Sequence, residues 1–140
     1  MNYKIDILAI GAHPDDVELG AAGTLIKHVN MGFTVGLLDL TRGELGTRGN
    51  ADIRDKEAEL AKNYISAQFR DNLLLKDGFI GDDEETVIKL VQKIRLYRPK
   101  VILCNAIKDR HPDHGAAASL VLKAVFSSGL PKIETIYNGN

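Results

Sequence analysis

The chain has 140 residues and a mass of 15.3 kDa, within the roughly 100–150 residues of one ordinary domain, so two independent domains are excluded. Its 18 basic and 19 acidic side chains leave a net charge of -1, and 44% of its residues are hydrophobic, which argues against disorder and against a polyanion-binding surface. The one cysteine, Cys104, excludes a disulfide framework and any four-cysteine or Cys2His2 zinc module. No apolar run is long enough to span a membrane, and Asp6, Asp15, Asp16 and Glu18 interrupt the N-terminal region where a signal peptide would need apolar and small residues. The expectation is a cytoplasmic, soluble domain, residues 1–140, with neither membrane nor nucleic acid as a partner.

Short apolar runs mark strands at Ile5–Ile10, Val35–Leu40, weakly at Asn72–Leu75, and at Val101–Cys104. Between them the spacing predicts helices. The first covers Val17–Val29. The second covers Ile53–Ile65, with Leu60, Ala61, Tyr64 and Ile65 on one face, and the third Glu84–Tyr97, with Val87, Leu90, Val91 and Ile94 on one face. Asp52 and Asp83 are the expected caps of the latter two. A fourth helix, Gly115–Phe126, groups Leu120, Val121, Ala124 and Val125; Pro131 follows as a break, and a weak last strand is expected at Ile133–Tyr137. Strands alternating with helices at this spacing give an α/β class, a Rossmann-like three-layer αβα arrangement around a mostly parallel sheet. Ligands in such sheets bind beyond the carboxyl ends of the strands, which directs attention to residues 11–16, 41–50, 76–82 and 105–114. The longest irregular stretch, Thr41 to Ala51, falls in one of these places.

Two of the four loops carry the same triplet, His13-Pro14-Asp15 and His111-Pro112-Asp113, where composition alone predicts roughly 0.01 occurrences in the whole chain. Three of the four histidines lie in these two loops. A His-Pro-Asp turn is good loop and cap chemistry by itself, but two of them at separate strand ends make a metal or acid–base site the stronger account. Neutral imidazole and carboxylate are zinc ligands, and a catalytic zinc takes three protein groups and a water. His13 and Asp16, three apart where the chain turns into a helix, can point at one ion; His111 and His114 both offer a third ligand. Asp15 and Asp16 diverge as neighbours, so one can bind metal while the other serves as a general base or as a simple N-cap. His28 is expected at the surface, and Cys104 as a small buried hydrophobe. The glycines of GELGTRG fit neither a dinucleotide-binding fingerprint nor a phosphate-binding loop, which disfavours a nucleotide site; a tight or mobile loop over the site is expected there.

The segments AHPDDVELG, TRGELGTRG, DGF at Asp77–Phe79 and CNAIKDRHPDHG together resemble the LmbE / PIG-L family of zinc-dependent N-acetylglucosamine deacetylases, over essentially all of the chain. More narrowly, TRGELGTRG, DRHPDHG and SGLPKIET resemble the enzyme that deacetylates N-acetylglucosaminyl-malate in bacillithiol biosynthesis. The resemblance implies one zinc per chain held by His13, Asp16 and His114, with Asp15 as general base. It further implies that His111, oriented by Asp113, stabilises the tetrahedral intermediate or protonates the leaving amine. Hydrolysis of an unactivated acetamide needs a strong nucleophile, a polarised carbonyl and a proton for the amine, and one zinc with an Asp and a His supplies all three. Iron(II), cobalt or manganese can occupy the same ligand set. Arg54 and Arg110, with Arg42 and Glu44, lie in or beside the same loops and are the expected substrate residues, guanidinium being suited to a carboxylate such as that of malate. The expected partner is a small amino-sugar conjugate, and a homo-oligomer is what the resemblance suggests.

Members of that family generally continue beyond the point matched by Asn140, adding strands and enclosing the substrate, so the domain is expected to be C-terminally short. Three readings of different class follow. A deacetylase binds metal and releases acetate, a catalytically incomplete metal-binding domain binds metal without turnover, and a Rossmann-like interaction module does neither.

Overall fold

A computed structural model describes residues 4–136. Eight elements alternate along the chain: β1 Ile7–Gly11, α1 Asp16–Asn30, β2 Val35–Thr41, α2 Ala51–Ile65, β3 Phe69–Leu75, α3 Glu84–Tyr97, β4 Val101–Leu103 and α4 Pro112–Ser128. The four strands are all parallel and lie in the order β3-β2-β1-β4, which is the α/β architecture expected from the alternation.

Strands β1 and β2 are buried along their whole length because helices cover both faces of the sheet. Alternate residues feed two separate cores. Leu8, Ile10, Leu38 and Leu40 pack with Leu90, Val91 and Leu120 under α3 and α4, whereas Ile7, Ala9, Val35 and Leu37 pack with Val17 and Leu25 of α1 and with Ile65 of α2. Gly36 is required in β2 because the Phe69 ring crosses it; a Cβ there would stand 2.3 Å from that ring. The chain adds β2 and β3 on one side of β1, then crosses to place β4 on the other. The reversal opens a crevice between the carboxyl ends of β1 and β4, the place where open α/β sheets bind ligands.

Several boundaries differ from the sequence expectation, each for a local reason. β1 starts at Ile7, because the Asp6 side chain accepts from the Thr34 amide and hydroxyl at 2.9 Å and so turns away from the ladder. β3 begins at Phe69 and runs as a half-buried edge strand, so its first residues lack an apolar signature. Asn50, not Asp52, caps α2 by accepting from the Ile53 amide at 2.9 Å; Asp83 caps α3 as expected. In α2 the buried residues are Ala58 and Ile65, two turns apart, while Leu60 and Tyr64 fall about 200° and 240° around the axis from Ala58 and are 60% and 85% exposed. Val125 of α4 is likewise exposed, although Leu120, Val121 and Ala124 are buried.

α4 starts at Pro112, three residues before the expected Gly115, with Pro112 in the first turn and His111 as its cap. Asp113 and His114 therefore stand on a helix rather than on a loop. β4 ends at Leu103, which leaves Cys104 exposed at the outer edge of the sheet instead of buried. Residues Ile133 to Ile136 form no strand; Arg95 of α3 binds the carbonyls of Ser128, Leu130 and Ile133, drawing this segment onto the helices and away from the sheet. Tyr137 lies outside the described residues. Among the described residues, no helix is long and apolar enough to cross a membrane.

Candidate active site at the carboxyl ends of β1 and β4

β1 delivers Ala12 and His13 to the crevice, and the turn that follows is fixed from three sides. The Thr41 amide and hydroxyl at the end of β2 both donate to the Ala12 carbonyl, at 3.1 and 2.9 Å. Asn105, just past β4, accepts from the Ala12 amide at 2.9 Å and donates to Asp16 Oδ2 at 3.1 Å. The Asp16 carboxylate in turn accepts from the His13 amide at 3.0 Å, closing the His13-Pro14-Asp15-Asp16 turn on itself. Helix α4 brings His114 to the same place, with Nε2 3.2 Å from Asp16 Oδ1.

His13, Asp16 and His114 form a group able to hold a metal ion, their ligand atoms all lying within 4.8 Å of one another. His13 Nδ1 is 3.6 Å from Asp16 Oδ2. Two ligands of a tetrahedral zinc, each ~2.0–2.1 Å from the ion, stand about 3.4 Å apart, so the near contacts of Asp16 with both histidines have the right scale. The far nitrogen of each imidazole is held by carboxylate. His13 Nε2 lies 3.0 Å from both Asp77 Oδ1 and Asp113 Oδ2, and His114 Nδ1 lies 3.0 Å from Asp109 Oδ2. Each imidazole is thus set to donate outward and to turn its lone pair to the shared centre, the orienting arrangement typical of metal-bound histidine. A second possible group, His13, His111 and Asp113, would use the His13 nitrogen already committed to Asp77 and Asp113.

The electrostatics follow from this packing. His13 is pushed up to about 9, first by its contact with Asp16, against the opposing effect of burial, and then by Asp113 and Asp77. Burial would raise Asp16, but the His13 side chain and amide, Asn105 and His114 bring it down to about 2. Three carboxylates around one imidazole are a strongly anionic pocket, the environment that a divalent cation neutralises.

Asp15 precedes α1, yet its side chain makes no capping hydrogen bond. It is half exposed, with one carboxylate oxygen 3.5 Å from Arg54 Nη2. Burial raises its carboxyl, only partly offset by Arg54. A cavity of about 470 Å³ opens beside it, lined by Pro14, Asp15, Glu18, Arg48, Arg54 and Glu57 among others. His111 is exposed above His13, its ring edge-on at 4.8 Å and stacked on His114 at 4.7 Å. Its Nδ1 accepts from the Asp113 amide at 3.2 Å, so in the neutral ring the proton sits on Nε2.

The sequence expectation that Asp113 orients His111 is corrected here. The Asp113 carboxylate binds His13 and the Gly78 amide, and only the Asp113 backbone touches His111. The four expected substrate residues have different surroundings. Arg42 is paired with Asp52 and Asp55 on the outside of α2. Glu44 accepts from the Asp77 amide at 2.8 Å. Arg54 is tied to the Gly43 and Pro14 carbonyls, and Arg110 is exposed on the loop before α4. Sequence reasoning assigned no role to Asp77, Asn105 or Asp109, each of which holds a metal-site side chain or its turn. The signal for them lay in the DGF segment, which holds Asp77, and in CNAIKDRHPDHG, which holds Asn105 and Asp109.

The model of the PIG-L family, described as GlcNAc-PI de-N-acetylase, matches residues 8–125. The chain belongs to the PIG-L family. It is similar to the diacetylchitobiose deacetylase of Thermococcus kodakarensis, 33% identical over 138 residues that cover 89% of this chain and 51% of that protein. The chain thus spans about half the length of that relative. The conserved protein TT1542 from Thermus thermophilus superposes with a TM-score of 0.88 at 44% identity, covering 91% of this chain and 58% of that one. The N,N'-diacetylchitobiose deacetylase from Pyrococcus horikoshii superposes with a TM-score of 0.84 at 28% identity, covering 91% and 51%. As a PIG-L domain, this chain contributes both motif loops and the whole of the His13, Asp16 and His114 group.

Proposed function

We propose that this chain carries the metal-dependent N-deacetylase centre of a PIG-L enzyme acting on the acetamide of an N-acetylglucosaminide. The observation that carries the reading is the His13, Asp16 and His114 cluster, with carboxylates behind both imidazoles and an Asp15 carboxylate beside it that caps no helix. Zinc, one ion per chain, fits the donor set best, though other divalent metals share it. When bound, the ion supplies a Lewis acid for the acetamide carbonyl and lowers the pKa of water from ~15.7 to about 7.

The chain's own residues divide the remaining work. Asp15, uncommitted as a cap and an electrostatic neighbour of Asp16 and His13, takes a proton from the attacking water. His111 uses its Nε2–H, free of the Asp113 amide contact, to hydrogen-bond the carbonyl oxygen as it gains charge, or else enters as the imidazolium, gives one proton to the departing amine and is left neutral. Asp113 acts one step back, holding His13 rather than His111. Arg110, exposed and next to His111 in the chain, is the guanidinium we assign to a carboxylate on the aglycone. The substrate is N-acetylglucosaminyl-malate, a reading supported by the TRGELGTRG, DRHPDHG and SGLPKIET segments; diacetylchitobiose, the substrate named for the Thermococcus kodakarensis and Pyrococcus horikoshii deacetylases, is the competing one.

The deciding experiment measures acetate release from both compounds together with bound metal, using wild type, Asp15→Ala and His114→Ala. Turnover with one ion per chain is expected in the wild type, metal without turnover in Asp15→Ala, and neither in His114→Ala. Metal without turnover in the wild type would mark the chain as a catalytically incomplete metal-binding domain. No metal at all would overturn the proposal.

A further inference from the structure

Asn105 lies just past β4, at the crevice where the sheet changes direction. Continuing the parallel register beyond the Ala9–Leu103 pair brings it level with Gly11, at the entry to the turn that carries His13 and Asp16. Its side-chain amide has a partner at each end. Oδ1 accepts from the Ala12 amide at 2.9 Å, and Nδ2 donates to Asp16 Oδ2 at 3.1 Å. The Ala12 N–H can only donate, so it fixes which end of the side-chain amide faces it and leaves the NH2 end for the carboxylate. Gly11 lets Asp16 come this close to β1, since a Cβ there would lie 3.1 Å from Asp16 Cβ.

The two oxygens of Asp16 consequently have different surroundings. Oδ2 accepts from the His13 amide at 3.0 Å as well as from Asn105, which fills the roughly two lone-pair sites of a carboxylate oxygen. His13 Nδ1 stays outside hydrogen-bond range of Oδ2, at 3.6 Å. Among the described residues, Oδ1 meets only the His114 imidazole, with Nε2 at 3.2 Å. We infer that Asn105 is a positioning residue that commits Asp16 Oδ2 to the protein and so presents Oδ1 alone to the ion. The inference rests on the reading of His13, Asp16 and His114 as the metal group. Two imidazoles and one carboxylate oxygen are three protein donors, the number that leaves a catalytic zinc a position for water or substrate. A carboxylate free to bind through both oxygens would take up part of that space. A neutral amide suits the task, because an acceptor in the same place would face Asp16 oxygen to oxygen and could not hold it.

The test compares the wild-type chain with Asn105→Leu, which loses both hydrogen bonds, and Asn105→Asp, which can still accept from Ala12 but cannot donate to Asp16. Chelator competition measures zinc affinity, crystal structures of the zinc-loaded proteins show the ligand atom, and amide hydrogen exchange of the metal-free proteins follows the turn. In the wild type, zinc is expected at about 2.0–2.2 Å from Asp16 Oδ1 and out of bonding range of Oδ2. Asn105→Leu weakens zinc roughly 10- to 100-fold, and at saturating zinc Asp16 binds through Oδ2 or through both oxygens in each variant. The His13 amide, which donates to Asp16, loses exchange protection in both variants, whereas the Ala12 amide loses it only in Asn105→Leu. Zinc bound through Oδ2 in the wild type would overturn the inference, as would binding through Oδ1 alone in both variants, or an affinity in Asn105→Leu within about twofold of wild type. If Asn105→Leu fails to fold, Asn105→Asp carries the comparison, and thermal unfolding of the metal-free proteins separates loss of support for Asp16 from general destabilisation. Zinc uptake without acetate release in the wild type would count against the proposed activity alone, whereas a wild type that takes up no zinc would overturn both.

Discussion

Asp113 Oδ2 lies 3.0 Å from His13 Nε2 across 100 positions of sequence, joining the two repeated triplets through one hydrogen bond. The same oxygen accepts from the Gly78 amide at 2.8 Å, so the carboxylate is fixed before any ion arrives. Burial would raise Asp113, but Gly78 and His13 hold it below the usual carboxylate range. The second triplet thus supplies the support for the first histidine, while the position after it, His114, reaches the shared centre.

Asp113→Asn should therefore weaken metal binding although Asp113 touches no ion. Loss of an orienting carboxylate typically lowers affinity roughly 10- to 100-fold. Competition with a chelator of known affinity measures it, and because Asp77 Oδ1 stands at the same 3.0 Å from that nitrogen, the double variant with Asp77→Asn should lose more than either single one. Unchanged affinity in Asp113→Asn would mean that His13 needs no support from α4.

Metal removal should destabilise the fold, since His13 and Asp16 belong to the β1–α1 turn while His114 belongs to α4. An ion that binds only the folded state adds about 2.7 kcal/mol at a hundredfold excess over its Kd, which in a chain of this size corresponds to a Tm rise of roughly 5–12 °C. Calorimetry with and without added zinc checks this, and His114→Ala should abolish most of the increment.

The sequence made the architecture legible because the central strands are continuous apolar runs and the helices alternate with them at regular spacing. β1 and β2 lie under both helical layers, so every residue had to be compatible with burial. The candidate metal group was legible because histidine is scarce in this chain and concentrated beside proline and aspartate. What escaped was set by partners remote in sequence. Asp113 reads as a neighbour of His111, yet the helix that starts at Pro112 turns its side chain to His13. Arg42 and Arg54 read alike as loop guanidiniums, but one pairs with Asp52 and Asp55 outside α2 and the other is enclosed by Gly43. Cys104 reads as the end of a buried strand, and no periodicity reports that β4 is an edge.

Asp39 and Arg70 form a bidentate pair between β2 and β3, with contacts of 2.7 and 2.9 Å and side chains only 4% and 5% exposed. Arg70 also reaches Glu18 on α1 and the Ala58 carbonyl of α2, so one guanidinium ties four elements together. Removing Asp39 strips the buried guanidinium of its bidentate partner and leaves Glu18 as its one remaining carboxylate. Asp39→Ala should cost roughly 3–5 kcal/mol in denaturant unfolding, and the double change Asp39→Leu with Arg70→Met should cost less than the single one. Additive losses would show that the pair contributes through independent packing.

The acid limb of stability should carry a signature of Asp71 on β3. Burial alone would raise its carboxyl, but the Lys93 ammonium at 2.6 Å and the Tyr97 hydroxyl on the same oxygen outweigh that effect and hold it below the ordinary value. A carboxyl depressed in the fold binds its proton more readily when unfolded, so its contribution is present above the unfolded value of about 3.9 and disappears as the pH falls through the lower folded value. Asp71→Asn should accordingly lose roughly 1–2 kcal/mol at about pH 7, with the difference from wild type narrowing below about pH 4. Urea titrations of the two proteins at several pH values measure the gap. A gap that stays constant through this range would assign the loss to altered packing against the stacked Phe69 and Tyr97 rings, whose centroids are 4.2 Å apart, rather than to the charge on Asp71.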